Sequence, residues 1–143
     1  MIMSRTEKLM QSIEEDCRLF KEALSSLDIS SLPHPFKNFP QGSCLDTCFI
    51  LASYLTSRNN ISLTCVSGEY MTNNGRITHS WLVYEDWIID ITADQFKNRP
   101  SISILKDHTW YTIFTKLSII DIPDVRSRTN LMLVMGEIDK VLF

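Results

Sequence analysis

A chain of 143 residues, 44% hydrophobic and 22% charged, has the length of one domain and enough apolar content to close a core, which excludes a disordered chain. With 14 basic against 17 acidic residues the formal net charge is -3, so composition supplies no general attraction to nucleic acid or to an acidic membrane surface. No apolar run approaches the length of a membrane span, and residues 1–16 lack the basic-then-apolar order of a signal peptide, so the expectation is a cytoplasmic protein whose four cysteines, Cys17, Cys44, Cys48 and Cys65, are reduced. An effector delivered by a non-classical route would have the same composition.

Residues 4–27 predict a helix, because Leu9, Ile13, Cys17, Phe20 and Leu24 recur at helical spacing and Ser4 with Glu7 makes a capping box at the start. Residues 28–42 read as a loop, with Pro33, Pro35 and Pro40 blocking regular structure. Residues 43–57 predict a second helix, with Ser43 as N-cap, Asp46 as the acidic residue three positions on, and Leu45, Cys48, Phe49, Ala52 and Leu55 on its buried side. Strands follow at 61–72, 76–84 and 87–91, the first two joined by the turn signal Asn73-Asn74-Gly75. Residues 102–105 and 110–120 predict further strands of the same antiparallel sheet, and 130–143 a terminal helix that Gly136 weakens. Helices followed by a run of strands give a single α+β domain over residues 1–143, with N-terminal helices packed on an antiparallel sheet.

Three residues of this pattern carry chemistry. If Ser43 caps the second helix, Cys44 is its first residue, and thiols at helix N-termini ionise more readily because unpaired N–H groups and the positive end of the dipole favour the anion. The bland alternative is a small buried apolar residue, the usual fate of a free cysteine. His79 and Asp90 lie on the strands that flank Glu85-Asp86. With those two residues as the turn, Thr92 falls opposite His79 and Trp81 opposite Asp90, so His79 and Asp90 project from one sheet face as diagonal neighbours. Ile77, Trp81, Val83 and Ile88 share that face, and a histidine and an aspartate on an apolar face must satisfy each other or something else. A mutually satisfied core pair is the structural alternative. With Cys44 added, the set has the logic of a thiol nucleophile, its base and the acid that orients the base.

The stretch GSCLDTCFILASYL resembles the active-site helix of transglutaminase-like proteins, part of the papain-like cysteine enzyme superfamily, in which a Gly-x-Cys-x-Asp element opens a helix. THSWLVYEDWIIDITADQF resembles their histidine strand and aspartate strand, with His79 followed by a small residue and Trp81, and Asp90 followed by x-Thr. Val66-Ser67-Gly68 is similar to the strand between the two motifs, and the resemblance covers about residues 39–96. It implies a papain/transglutaminase-like core in which Cys44 is the nucleophile, His79 the base and Asp90 the orienting acid of a cysteine protease, deamidase or acyltransferase. The implied substrate is a protein or peptide amide, attacked to form a thioester, with no metal or organic cofactor and no nucleic-acid or membrane partner. Hydrolysis, by peptide cleavage or glutamine deamidation, is favoured over cross-linking because water is the only second substrate it needs. An oxyanion site is also implied, built from the Cys44 backbone N–H and, as a side-chain candidate, Gln41. Lasso-peptide leader peptidases are similar in size and motif spacing and imply a maturation protease acting with a partner. Arylamine N-acetyltransferases share the Cys–His–Asp order, but their Arg-Gly-Gly lead-in before the cysteine is missing here. A binding module that keeps the fold without catalysis is the alternative from another class.

Other residues read as structural. Cys48 makes a Cys-x3-Cys spacing with Cys44 that, with His79, would suit zinc, but it falls in the apolar stripe of its helix, and Cys17 and Cys65 also sit at apolar positions. His34 and His108 read as solvated, and Asp46 as a helix-start residue. Asp94 and Gln95 read as caps of a short helix in preference to lining the cleft.

Overall fold

In the computed structural model, which describes residues 2–28, 32–33, 36 and 43–143, the chain is α+β. Helix α1 spans Arg5–Ser26 and starts as its sequence requires, with the Ser4 hydroxyl accepting the Glu7 N–H at 3.1 Å. Its apolar stripe of Ile13, Cys17, Phe20 and Leu24 is buried. Helix α2 spans Cys44–Asn59 and ends where Asn60 takes the left-handed conformation (φ 53°) and returns its N–H to the Thr56 carbonyl at 2.9 Å. Cys48, Phe49, Ala52 and Leu55 are buried as the stripe predicts, but Leu45, in the first turn, is 36% exposed and lies outside the core cluster.

The sheet consists of β1 (Thr64–Thr72), β2 (Gly75–Tyr84), β3 (Trp87–Asp90), β4 (Ser103–Leu105) and β5 (Thr115–Ile120), all antiparallel, in the order β4-β3-β2-β1-β5. The β1–β2 turn is Asn73-Asn74, with Thr72 paired to Gly75; Gly75 opens β2 at φ 120°, which a side chain rarely tolerates. Glu85-Asp86 is the β2–β3 turn, with Glu85 at φ 52°, and it sets the pairs Tyr84↔Trp87, Val83↔Ile88 and Leu82↔Ile89. Residues 110–113, read as the beginning of a strand, form a 3-10 turn instead. That segment is apolar because its rings cover the sheet, so hydrophobicity alone was no guide to its backbone. Helix α3, Thr129–Leu142, closes the chain; a methyl group at Gly136 would meet nothing within 4 Å, so that glycine marks no close packing.

Alternation along β2 and β3 separates two cores. Leu82 and Ile89, with Cys65 of β1, face a layer made by α1, α2 and α3, where Ile13, Phe20, Leu51, Leu55, Val134 and Ile138 help complete a largely aliphatic cluster that also holds Phe49 and Tyr54. Each fully buried Leu or Ile there contributes about 1.5–3 kcal/mol of hydrophobic stabilisation. Trp81 and Ile88 face the other way and pack with Tyr111 and Phe114. A polar tie joins α1 to α2, where the buried Asp16 accepts from Arg58 Nε at 3.1 Å and Asn59 Nδ2 at 3.0 Å. Among the described residues, no helix is long and apolar enough to cross a membrane.

Candidate active site

The pairing of β2 with β3 runs from Tyr84↔Trp87 to Leu82↔Ile89, and the candidate residues sit just past its end, with Asp90 held on its other side by pairing to Ser103 of β4. The parity of the two-residue turn sends His79 and Asp90 to the same face, and they meet there: His79 Nε2 lies 2.7 Å from Asp90 Oδ2. Both are buried, His79 with 0% of its surface exposed. Every oxygen of Asp90 is engaged. Oδ2 also accepts the Tyr111 hydroxyl at 2.7 Å, while Oδ1 accepts the Thr92 N–H at 2.9 Å and faces the Thr92 hydroxyl at 3.4 Å.

Cys44 is the first residue of α2 and is half-buried, and its thiol lies close enough to His79 to raise the basicity of the imidazole. The structure thus brings together the three residues singled out from the sequence. Ser43 precedes the helix, but its side chain makes no capping bond; it is buried and receives the Thr47 hydroxyl at 3.4 Å. The expected Ser43 cap is therefore corrected: helix entry here buries the serine, and its hydroxyl is turned to Thr47 rather than to the N–H groups of the first turn. Asp46 lies in that first turn, half-buried. Gln41, the side-chain oxyanion candidate, and His34 lie outside the described residues.

The electrostatics form one consistent system. Burial alone would lower the basicity of His79, but the Asp90 carboxylate and then the Cys44 thiol more than offset it and raise the imidazole from 6.5 to about 9. Burial likewise opposes the charge on Asp90, and His79, the Thr92 N–H and the Tyr111 hydroxyl hold it below the ordinary carboxylate range. An imidazolium–carboxylate pair is thus favoured at neutral pH. Aromatic rings enclose it: Phe96 lies edge-on to the imidazole at 5.1 Å, Phe114 and Trp81 are at 5.5 and 5.7 Å, and Trp110 and Tyr111 at 6.1 and 6.4 Å. Ring faces favour a cation and keep water away from it. Gly68, directly opposite His79 on β1, permits this enclosure, since a methyl group there would come within 2.8 Å of Phe114 Cβ and Leu117 Cδ2.

Two members of the site were not assigned to it from sequence. Tyr111 lies 21 residues beyond Asp90; its only signal was that a tyrosine in an apolar run needs a partner for its hydroxyl. Gln95 was read with Asp94 as a helix cap. The 3-10 turn Ala93–Gln95 exists, but neither side chain caps it: Asp94 Oδ2 takes the Lys21 ammonium at 2.8 Å, and Gln95 Nε2 lies 3.2 Å from His79 Nδ1. A turn of three residues offers too few N–H groups to compete with a buried ammonium and an open imidazole nitrogen.

The remaining candidates are structural. Cys48 is buried in the helix-side core, where the neighbouring Cys65 and burial raise its thiol well above the ordinary range. Burial raises Cys17 as well. Cys48 is therefore turned away from a Cys44–Cys48–His79 zinc set, and among the described residues no group of three His, Cys, Asp or Glu side chains is placed to hold a metal ion. None of the four cysteines is in a disulfide. His108 is exposed and bonds the Asp86 carbonyl at 2.7 Å. No protein-family model, curated protein or solved structure matches the chain.

Proposed function

We propose that the protein is a small cysteine-dependent amidohydrolase or acyltransferase of the transglutaminase-like, papain-like kind, with Cys44 as nucleophile, His79 as base and Asp90 as the acid that orients it. The observation that carries this reading is the placement of the Cys44 thiol at the start of α2, near enough to His79 to raise its basicity, while His79 bonds a carboxylate whose two oxygens accept from the ring, Tyr111 and Thr92. A core pair needing only mutual satisfaction would have no use for a third, half-exposed thiol on the same imidazole.

With Nε2 committed to Asp90, Nδ1 is the nitrogen that exchanges a proton with Cys44. Sulfur attacks the carbonyl carbon of an amide, the C–S bond forms and the carbonyl oxygen takes the negative charge. The Cys44 backbone N–H, at the first position of α2, donates to that oxygen. The proton on Nδ1 passes to the amine as the C–N bond breaks, leaving a thioester. Water then attacks, giving a proton to Nδ1; the C–S bond breaks, and the sulfur recovers its proton as the acid departs. We favour water as acceptor, hence peptide cleavage or glutamine deamidation of a protein or peptide substrate. An amine acceptor gives transfer by the same steps.

The test is intact-mass analysis of candidate proteins and peptides incubated with wild-type protein or Cys44→Ala. A gain of about one dalton signals deamidation, fragments signal proteolysis and larger additions signal transfer. Cys44→Ala should lower whichever occurs by several orders of magnitude. A conversion that persists undiminished in Cys44→Ala would refute the reading.

A further inference from the structure

We propose that Gln95 is a positioning residue for the proton on His79 Nδ1, held in place by the partly buried ion pair of Lys21 with Asp94. The proposal rests on the thiol–imidazole reading above and adds a fourth side chain, together with the means by which the fold places it.

The imidazole has two nitrogens, and Asp90 occupies one. Gln95 Nε2 stands 3.2 Å from the other, the nitrogen through which the thiol proton must pass. In this orientation the amide N–H can be donated to Nδ1 only when that nitrogen carries no proton, so the contact favours the neutral ring over the charged one. Its effect is thus opposite in sign to that of Asp90, which favours the cation. A base pushed only upward would retain its proton and would be slow to accept a second one from the thiol or from water. A donor on Nδ1 moderates that push, toward the condition under which proton transfer in both directions is efficient.

The turn that carries Gln95 has little to fix it locally. It is a three-residue 3-10 turn without a side-chain cap. Its anchor comes from the other end of the chain. Lys21, on α1 and buried, gives its ammonium to Asp94 Oδ2 at 2.8 Å and to the Ser101 carbonyl at 2.7 Å. That ion pair ties both ends of the 94–101 segment to α1, and the burial of Lys21 weakens its screening by salt. Phe96, the next residue, sets its ring against the imidazole edge at 5.1 Å. Apolar residues would hold a purely structural turn as well; a buried lysine placed to orient the residue beside Gln95 is accounted for if the direction of the Gln95 amide matters.

The experiment is NMR titration of the histidine ring protons in protein carrying labelled histidine, with His34→Asn and His108→Asn identifying the His79 signal. The variants are Gln95→Met, which keeps the length and removes the amide, and Gln95→Glu, which puts an acceptor on Nδ1. Gln95→Met should move the His79 midpoint up by about half a unit or more, and Gln95→Glu should move it further in the same direction. Lys21→Met should move it in the direction of Gln95→Met, because the turn loses its anchor. A folded Gln95→Met whose His79 midpoint coincides with wild type would overturn the inference, as would a Gln95→Glu midpoint below that of Gln95→Met. No substrate enters these measurements. A null result here would leave the Cys44→Ala mass test standing, and a failed mass test would leave the titration interpretable.

Discussion

Along β2, Leu82 turns to the helices and Trp81 to the opposite face, and the two sides of the sheet that they represent are built on different terms. The helix side is closed mainly by aliphatic side chains from α1, α2 and α3, with Phe20, Phe49 and Tyr54 among them, and holds Cys48 and Cys65 as packing groups. The aromatic side is covered by the largely irregular segment 96–114. It encloses a charged pair and leaves a cavity of about 310 Å³ between Val66, Trp81, Ile88, Tyr111 and Phe114. Regular elements carry the fold, and a segment with little regular structure completes the site. Cys44 joins the two, since it belongs to the helix layer and acts on the imidazole of the aromatic face.

Substitutions on the two faces should therefore fail differently. The largest effect is expected from Asp90→Asn, which leaves His79 without its carboxylate: about three to four orders of magnitude in turnover, with a loss of about 3–5 kcal/mol for a broken buried pair. Steady-state kinetics and urea unfolding measure the two losses. Leu82→Ala, one residue from Trp81 but on the helix side, should cost about 2–5 kcal/mol in urea unfolding through the cavity it leaves. It should spare turnover in the folded fraction.

The pH dependence sharpens the contrast. Burial would lower His79, yet Asp90 and Cys44 hold it at about 9 against 6.5 ordinarily, so the folded chain keeps this proton more tightly than the unfolded one. The resulting stability, at most roughly 3 kcal/mol for a fully buried group, is complete below about pH 6.5 and is lost as pH rises through about 9. Asp90, held low, contributes with the opposite slope: its share is present above about pH 4 and disappears as pH falls through its folded value. Urea unfolding at pH 6 and pH 10 should show the alkaline loss in wild type and in Leu82→Ala alike, and little of it in Asp90→Asn. The smallest expected effect is that of Gly68→Ala, about 1–3 kcal/mol by thermal melting, because its methyl group meets Phe114 Cβ and the rings above His79 must shift.

What could be read from the chain follows the same division. The stripe of α1, the Ser4 cap and the alternation of β2 and β3 are local patterns, and the parity of the Glu85-Asp86 turn was enough to put His79 beside Asp90. Ser43 failed as a cap and Leu45 as a core residue because the packing around a helix start, not its spacing, decides which way those side chains turn. Tyr111 and Gln95 were missed for a related reason. Tyr111 reaches Asp90 through a fold of the covering segment that has no period, and Gln95 is placed by Lys21, 73 residues before Asp94. Neither residue carries in its own neighbourhood a mark of the partner it will meet.

The most direct test of a cooperating thiol, imidazole and carboxylate is competitive alkylation with iodoacetamide at neutral pH, read at Cys44 by peptide mapping against a small free thiol in the same tube. Cys44 in the wild-type protein should react faster than the free thiol, and Asp90→Asn should slow it by about tenfold or more. A Cys44 that reacts no faster than the free thiol, at a rate indifferent to Asp90→Asn, would contradict the account.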